Sequence, residues 1–455
     1  MTRIVLCTPP WSYGLLAAAS GTRRRRWDHG GVSGQGILPQ LGLHHLATTL
    51  EQDGHTVHVV EGYGRSRAEL VEQIAAYNPD VIGLSVVTAL WEEARALLPL
   101  LAQRLPKARR ILGGPHPTLR GARLLDAAPE VDALFIGPAE ESLRRWLANP
   151  GTKRVVHSVT GAPHADDWGQ RLAARVSWDG YQPNLMFLSH PRFAHTVTSL
   201  GCTRSCAFCA VPSAAAEDAR TPQDILGEWT YLAKNKGVRV LNVMDDDPVF
   251  VRPGREAEAL LHRLIDARLD MKFTFYLGRF DVDDARLALL RRAGCSRILV
   301  MAETAVPRLL EYVKGQKITP EEIAGQIERI DRAGIQACAR FQFGFAGETF
   351  ADGLQTIRFA RKLPLTLASF MPALLFPGSR MAEELERSGR LSGDERRWSH
   401  YGRPFEPDAM TAAEQSRLCL LGMLAFYGQP RGALGLLKVG RWRALARRVL
   451  LEGAT

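Results

Sequence analysis

Residues 199–212 read Ser-Leu-Gly-Cys-Thr-Arg-Ser-Cys-Ala-Phe-Cys-Ala-Val-Pro, so Cys202, Cys206 and Cys209 stand in the spacing C-x3-C-x2-C with Phe208 just before the third. Thiolates are soft ligands, and three on one short loop suit three irons of a [4Fe–4S] cube. A fourth would close the cube for electron transfer, and none lies close by in the sequence. Three leave one iron open to a substrate or a second cofactor. The competing reading of the same residues is part of a zinc site completed by a His or Cys from elsewhere. Further groups able to do chemistry follow apolar runs later in the chain: Asp245, Asp246 and Asp247, then Arg279, Glu303, and the turn Gly344-Phe345-Ala346-Gly347-Glu348-Thr349. The remaining cysteines, Cys7, Cys295, Cys338 and Cys419, are scattered and read as small core residues, not a disulfide framework.

These groups need a scaffold, and the apolar pattern supplies one. Thr196-Val197-Thr198-Ser199 reads as a strand delivering the cysteine loop. Beyond it, strands over 238–244, 272–277, 296–301, 336–345 and 365–372 alternate with helices over 223–235, 256–269, 284–293, 319–333 and 350–361. Thr221 with Pro222, and Pro320, mark two helix starts. About six such units make a partial (β/α)6 barrel of the TIM type, which carries its chemistry at the C-terminal ends of its strands. The acidic triplet, Arg279, Glu303 and the Gly-rich turn all fall at such ends.

The first 145 residues alternate in the same way. Strands over 3–7, 57–60, 81–85, 110–114 and 133–137 are separated by helices over 41–53, 70–77 and 91–104. This is the pattern of a doubly wound parallel sheet, and the loops at its strand ends, 8–40, 61–65, 85–91, 113–118 and 137–141, would gather a ligand. The expected divisions are a Rossmann-like domain over 1–146, a linker with short elements over 147–192, the barrel over 193–379 and a helical region over 380–455. Within the last, helices fall over 383–387, 412–427 and 441–451, the final one basic and amphipathic.

At the cysteine loop the sequence resembles the radical S-adenosylmethionine (SAM) family. The resemblance implies a [4Fe–4S] cluster on Cys202, Cys206 and Cys209 whose free iron is chelated by SAM. It further assigns SAM contacts to Phe208, Asp245, Asp246, Arg279, Glu303, Gly344 and Gly347. Glu348 reads as either part of that turn or a cap of the next helix, and Lys314-Gly315 as a structural turn. The N-terminal loops resemble the cobalamin-binding domain fused to many such enzymes, through Thr8-Pro9-Pro10, Pro39-Gln40-Leu41-Gly42-Leu43, Gly54-His55-Thr56-Val57, Gly113-Gly114-Pro115-His116-Pro117-Thr118 and Gly137-Pro138-Ala139-Glu140-Glu141. That resemblance places a corrin against Pro10, Leu41, Gly42, Ser85, Gly113, Gly114 and Gly137, with no D-x-H-x-x-G motif to donate an axial His. His116 reads as a loop-ordering residue. The family usually has Gly-Glu-Gly-Glu where this chain has Gly137-Pro138-Ala139-Glu140, and a proline there fixes one dihedral and removes a donor.

Together these resemblances imply reductive cleavage of SAM to a 5′-deoxyadenosyl radical that abstracts hydrogen from an unactivated carbon of a natural-product or lipid-type substrate. With cobalamin, the expected outcome is C-methylation by methylcobalamin, as in antibiotic or lipid biosynthesis. Without it, the alternative is radical dehydration or another redox step on an aminosugar. Either route needs a one-electron reductant such as flavodoxin or ferredoxin. The formal charge of +10 comes largely from arginine, and with no nucleic-acid motif or basic-aromatic stripe it points to no nucleic-acid partner. No leader pattern precedes the first strand, and no run of about 18 apolar residues could span a bilayer. The expected location is the cytoplasm, with membrane contact not expected.

Overall fold

Short apolar runs mark the strands in both halves of this chain: helices cover both faces of the first sheet, and in the second they cover the outer face, where alternate strand residues pack. The computed structural model describes residues 1–11, 39–151, 154–158, 167–178, 181, 190, 192–211, 218–394, 397–398 and 405–438. The described residues of 1–176 and 375–405 form one compact unit, and those of 177–374 and 406–438 form another. The expected helix over 441–451 lies outside the described residues.

In the first unit, strands β1 (Arg3–Cys7), β2 (Thr56–Val60), β3 (Val81–Ser85), β4 (Arg109–Gly113), β5 (Ala133–Ile136) and β6 (Val155–His157) form one sheet in the order β2-β1-β3-β4-β5-β6. All its pairings are parallel. Alternation along the strands sends Val5, Cys7, Ile82, Leu84 and Leu112 to a core shared with helices α1 (Arg67–Ala76) and α2 (Trp91–Arg104). It sends Ile4, Leu6, Val81, Ile111 and Phe135 to the opposite core, shared with helices over 41–52 and 140–148. The order reverses on either side of β1, so the crevice of this doubly wound sheet opens beyond the ends of β1 and β3. The unit runs past residue 146. β6 adds an edge strand, and helix α3 (Trp168–Arg175) packs on the helix over 41–52, its Trp168 ring 4.7 Å from His45 and its indole N–H donating to Thr49 Oγ1 at 3.3 Å. Three strand residues and eight helical ones are too few to print a period in the sequence.

In the second unit, β7 (Phe193–Thr196), β10 (Val240–Val243), β11 (Lys272–Leu277), β12 (Cys295–Glu303), β13 (Gln336–Phe343) and β14 (Leu367–Pro372) pair in chain order, all parallel. A short antiparallel pair, β8 (Ser199–Leu200) with β9 (Asp218–Ala219), stands apart. This is the expected six-unit partial barrel. Phe273 and Phe275 face the covering layer, packing on Trp229 and Phe250, and Phe341 stacks on Phe370. Alternate residues therefore face the lumen. Two helices were not legible in the sequence: α4 (Pro307–Lys314), closed by Gly315 at φ +64°, and α5 (Pro430–Lys438). The first barrel strand also sits three residues earlier than the expected 196–199, for a reason that lies in the site.

Candidate functional site

Asp245, just past the end of β10, decides where the cysteine loop begins. Its buried carboxylate accepts the Thr198 N–H at 2.7 Å, the Ser199 hydroxyl at 2.8 Å and the Thr198 hydroxyl. The chain must leave the sheet after Thr196 to make these bonds, which is why β7 ends there. A buried ion set secures the same corner: Arg220 meets Asp224 and Glu228 at 2.6 Å each, and Glu228 accepts the Thr196 hydroxyl at 2.8 Å. Buried charges persist only when so paired. Burial pushes the Asp245 carboxyl up to about 6, although three donors oppose the shift.

The far side of the loop rests on the end of α4. Ala207 N–H donates to Val313 O at 2.9 Å, and the Ser205 hydroxyl to Gly315 O at 3.2 Å. A Cβ on Gly315 would lie 2.2 Å from Ser205 O, so the approach admits only glycine. Between these two anchors the three thiols are half-buried. Burial raises all three, Cys209 to about 11. Their charged neighbours identify the surroundings: Asp247 and Arg204 beside Cys202, Lys314 and Glu303 beside Cys206, Asp246 beside Cys209. Among the described residues no three His, Cys, Asp or Glu side chains converge tightly enough for a single ion. Three thiolates on one short loop suit a cube in which each takes its own iron.

The other strand-end groups are held in different ways. Glu303 is buried and has φ +63°, a strained backbone for a side-chain-bearing residue. Lys314 Nζ donates to it at 3.2 Å and Gln342 Nε2 at 2.5 Å, and Lys314 Nζ also reaches Met301 O. Asp246 is exposed, and partial desolvation by the groups around it, with the Asp247 charge next to it, raises its carboxyl. Arg279 is engaged bidentately by Asp281, at 2.8 and 3.2 Å, and donates to Val251 O. Phe208 packs on Phe345, with ring centroids 5.8 Å apart. Gly344 and Gly347 have φ of +99° and +71°. Glu348 does not cap the following helix: Thr349 does, in a capping box with Asp352. Glu348 instead folds back onto the Gly344 and Phe345 amides at 2.6 and 3.1 Å, and burial pushes its carboxyl up to about 7.

Sequence reasoning underrated two of these residues. Lys314 and Gly315 carry the signature of an ordinary helix end, a cation in the last turn and a left-handed glycine, and nothing local shows that the lysine turns inward. Gln342 is one of three polar residues of β13, with Gln336 and Arg340, and nothing in the run sets it apart.

In the first unit, Pro10, Ser85, Gly113, Gly114 and Gly137 lie at or just past the ends of their strands, and Leu41 and Gly42 open the helix over 41–52. The rim is built from close backbone approaches. A Cβ on Gly114 (φ +97°) would meet Ser85 Oγ at 2.7 Å, and one on Gly62 would meet Pro9 O at 2.1 Å. Gly137 (φ +84°) donates its N–H to Thr118 Oγ1 at 3.0 Å. His116 is wholly buried, 3.2 Å from Thr88 Oγ1 and tilted against the Trp91 ring at 5.1 Å, and burial pulls its pKa down to about 4. It is a neutral group that orders the loop. A rim of small residues and close main-chain approaches fits a flat macrocycle.

Known proteins agree with this geometry. Residues 30–147 match the B12 binding domain and residues 196–360 the radical SAM superfamily. An uncharacterized methyltransferase of Pyrococcus horikoshii is 23% identical over 86% of this chain and 88% of its own length. An anaerobic magnesium-protoporphyrin IX monomethyl ester cyclase of Rubrivivax gelatinosus is 24% identical over 85% of this chain and 73% of its own length. Among solved structures, the radical SAM methyltransferase TsrM of Kitasatospora setae, with tryptophan and a SAM analogue bound, superposes with a TM-score of 0.68 at 16% identity, covering 94% of this chain and 90% of its own. A cobalamin domain followed by a three-cysteine barrel, with [4Fe–4S], SAM and cobalamin as cofactors, makes this chain a radical SAM enzyme of the kind that carries a B12-binding domain.

Proposed function

We infer that this enzyme methylates a carbon of a natural-product or lipid-type small molecule, with a SAM-derived radical removing hydrogen from that carbon. The observation that carries the reading is the three-thiolate loop clamped between Asp245 and Gly315 in a chain whose N-terminal part matches a B12 binding domain. The methyltransferase names of the Pyrococcus horikoshii relative and of TsrM support it.

When bound, the cluster supplies one electron to SAM and cobalamin supplies the methyl group. The chain's own residues position and shield these groups. Cys202, Cys206 and Cys209 hold three irons. Asp246 takes the SAM amino group, while Asp245 keeps the loop in place from behind. Glu303, fixed from two sides by Lys314 and Gln342, presents a rigid carboxylate to the SAM ribose or amine. Gly344 and Gly347 let the main chain lie against the adenosine, with Phe208 packed beneath the turn. Arg279, already engaged by Asp281, steadies the mouth. Pro10, Leu41, Gly42, Ser85, Gly113, Gly114 and Gly137 cradle the corrin. Flavodoxin or ferredoxin provides the electron in the cytoplasm. Among the described residues no helix is long and apolar enough to cross a membrane.

The test is anaerobic reconstitution with iron, sulfide and cobalamin, then SAM and dithionite. The expected result is stoichiometric corrin absorbance together with 5′-deoxyadenosine. The Pro138 turn favours one specific alternative. Protein that makes 5′-deoxyadenosine but retains no corrin would replace methylation with cobalamin-independent dehydration of an aminosugar. Absence of 5′-deoxyadenosine would overturn the hydrogen abstraction.

A further inference from the structure

The lumen of the barrel carries an unspent positive charge. Because Phe273, Phe275, Phe341 and Phe370 point to the covering layer, their strand neighbours Thr274, Tyr276, Arg340 and Ser369 point inward. The side-chain contacts agree. The Arg340 guanidinium lies 5.7 Å from the centre of the Tyr276 ring. These residues belong to β13 and β11, which are separated by β12, so they meet only across the concave face. Arg340 is half-buried, and among the described residues no carboxylate lies within ion-pair distance of it. A ring face is a modest partner for a cation that burial has partly desolvated.

Its neighbourhood is also short of partners. Ser369 is the register partner of Arg340 on β14, on the same face, and its hydroxyl oxygen is buried with no hydrogen bond. Deeper in the lumen, Asn242 and Thr274 are paired in register and fully buried, and Asn242 Oδ1 and Thr274 Oγ1 are likewise unsatisfied. A second arginine, Arg297, lies at the same depth on Gln336 at 2.8 Å. Below the strand ends the lumen-facing strand positions include no Asp or Glu. Met301 is the register partner of Arg340 on β12, and Met371 stands two residues above Ser369 on β14, paired with Gln342; both are apolar walls of this stretch. A cation and a free hydroxyl beside two flexible apolar walls, in a stretch of lumen whose acids begin only at the strand end with Glu303, make a receptor for an anion on an otherwise apolar molecule.

We propose that Arg340 and Ser369 bind an anionic group, carboxylate or phosphoryl, of the substrate. Arg340 lies three residues below the end of β13, about 10 Å along the strand, so an anchored substrate would reach upward to the strand ends with its reacting carbon. The proposal rests on the reading of the barrel as the reaction chamber, and its test does not use the radical reaction.

The full chain, reconstituted with its cluster, is titrated calorimetrically with inorganic phosphate and, separately, with acetate. The wild type should bind at least one of them saturably at a single site, and the tighter of the two names the group. Arg340→Gln should weaken that binding by about tenfold or more. Arg340→Lys, which keeps the charge and loses the fork, and Ser369→Ala should each weaken it by about two- to fivefold. SAM cleavage by dithionite in the same samples reports folding and the radical site separately, and should persist in all three variants. No saturable anion binding by the wild type, or equal binding by Arg340→Gln, overturns the proposal. Loss of SAM cleavage in the wild type would instead strike at the proposed function.

Discussion

Replacing Gly315 by alanine tests whether α4 positions the cluster loop or only packs beside it. Two costs follow from the structure. The first is conformational: at φ +64° a Cβ costs about 1 kcal/mol. The second is steric: the new Cβ would stand 2.2 Å from Ser205 O and 2.8 Å from Ser205 C. A carbon and an oxygen need a little over 3 Å, so Ser205 must retreat by about 1 Å, roughly five times the ±0.2 Å within which metal-ligand distances are held. Ser205 adjoins Cys206, so the retreat pulls one thiol off its iron. Gly237 supplies the matched control, because its φ is +65° and the nearest atom to its missing Cβ is 3.9 Å away. Gly237→Ala should lose only the conformational increment and reconstitute fully. Gly315→Ala should show at least as large a loss of thermal stability and, in addition, lose half or more of its iron after anaerobic reconstitution. Equal iron contents in the two variants would refute the positioning argument.

Three further outcomes are expected. Lys314→Met strands the Glu303 carboxylate in a buried site, and should destabilise the barrel by about 3–5 kcal/mol in denaturant unfolding. Adding Glu303→Gln should recover part of that loss, and no recovery would mean the pair does not act as one. An acid whose pKa is raised on folding stabilises the fold below its ordinary value near 4.5 and loses that contribution as pH climbs through the raised value, here about 7. Between pH 5 and pH 8 the wild type should therefore lose roughly 1–3 kcal/mol more stability than Glu348→Gln; parallel pH profiles would remove Glu348 as the cause. Asp245→Ala leaves Thr198 and Ser199 donors buried without their acceptor, and should cost about 2–4 kcal/mol together with iron content. Retention of both would show that the loop is held by its cysteines alone.

Much of the architecture was legible because short apolar or alternating runs recur at regular intervals between helical stretches, and both parallel sheets follow from them. The Gly-Cys loop was legible because metal chemistry fixes its spacing. What the sequence concealed lies where one residue acts through distant partners. Asp245 resembles a cofactor contact by position, yet its oxygens are spent on Thr198 and Ser199, 47 and 46 residues away. Glu348 precedes a helix and reads as a possible cap, but the cap is Thr349 and the glutamate serves the turn behind it. Arg340 looked like any polar residue in a strand until the register set it against Ser369 and the curvature set it against Tyr276.

The most direct test of the central claim is the iron and corrin content of the reconstituted chain, measured for the wild type and for Cys202→Ala, Cys206→Ala and Cys209→Ala. The account predicts about four irons per chain and a stoichiometric corrin in the wild type. Each variant should lose its iron and keep its corrin, since the thiols belong to the second unit and the corrin rim to the first. Variants that keep a full complement of iron, or a wild type that binds no corrin, would contradict it.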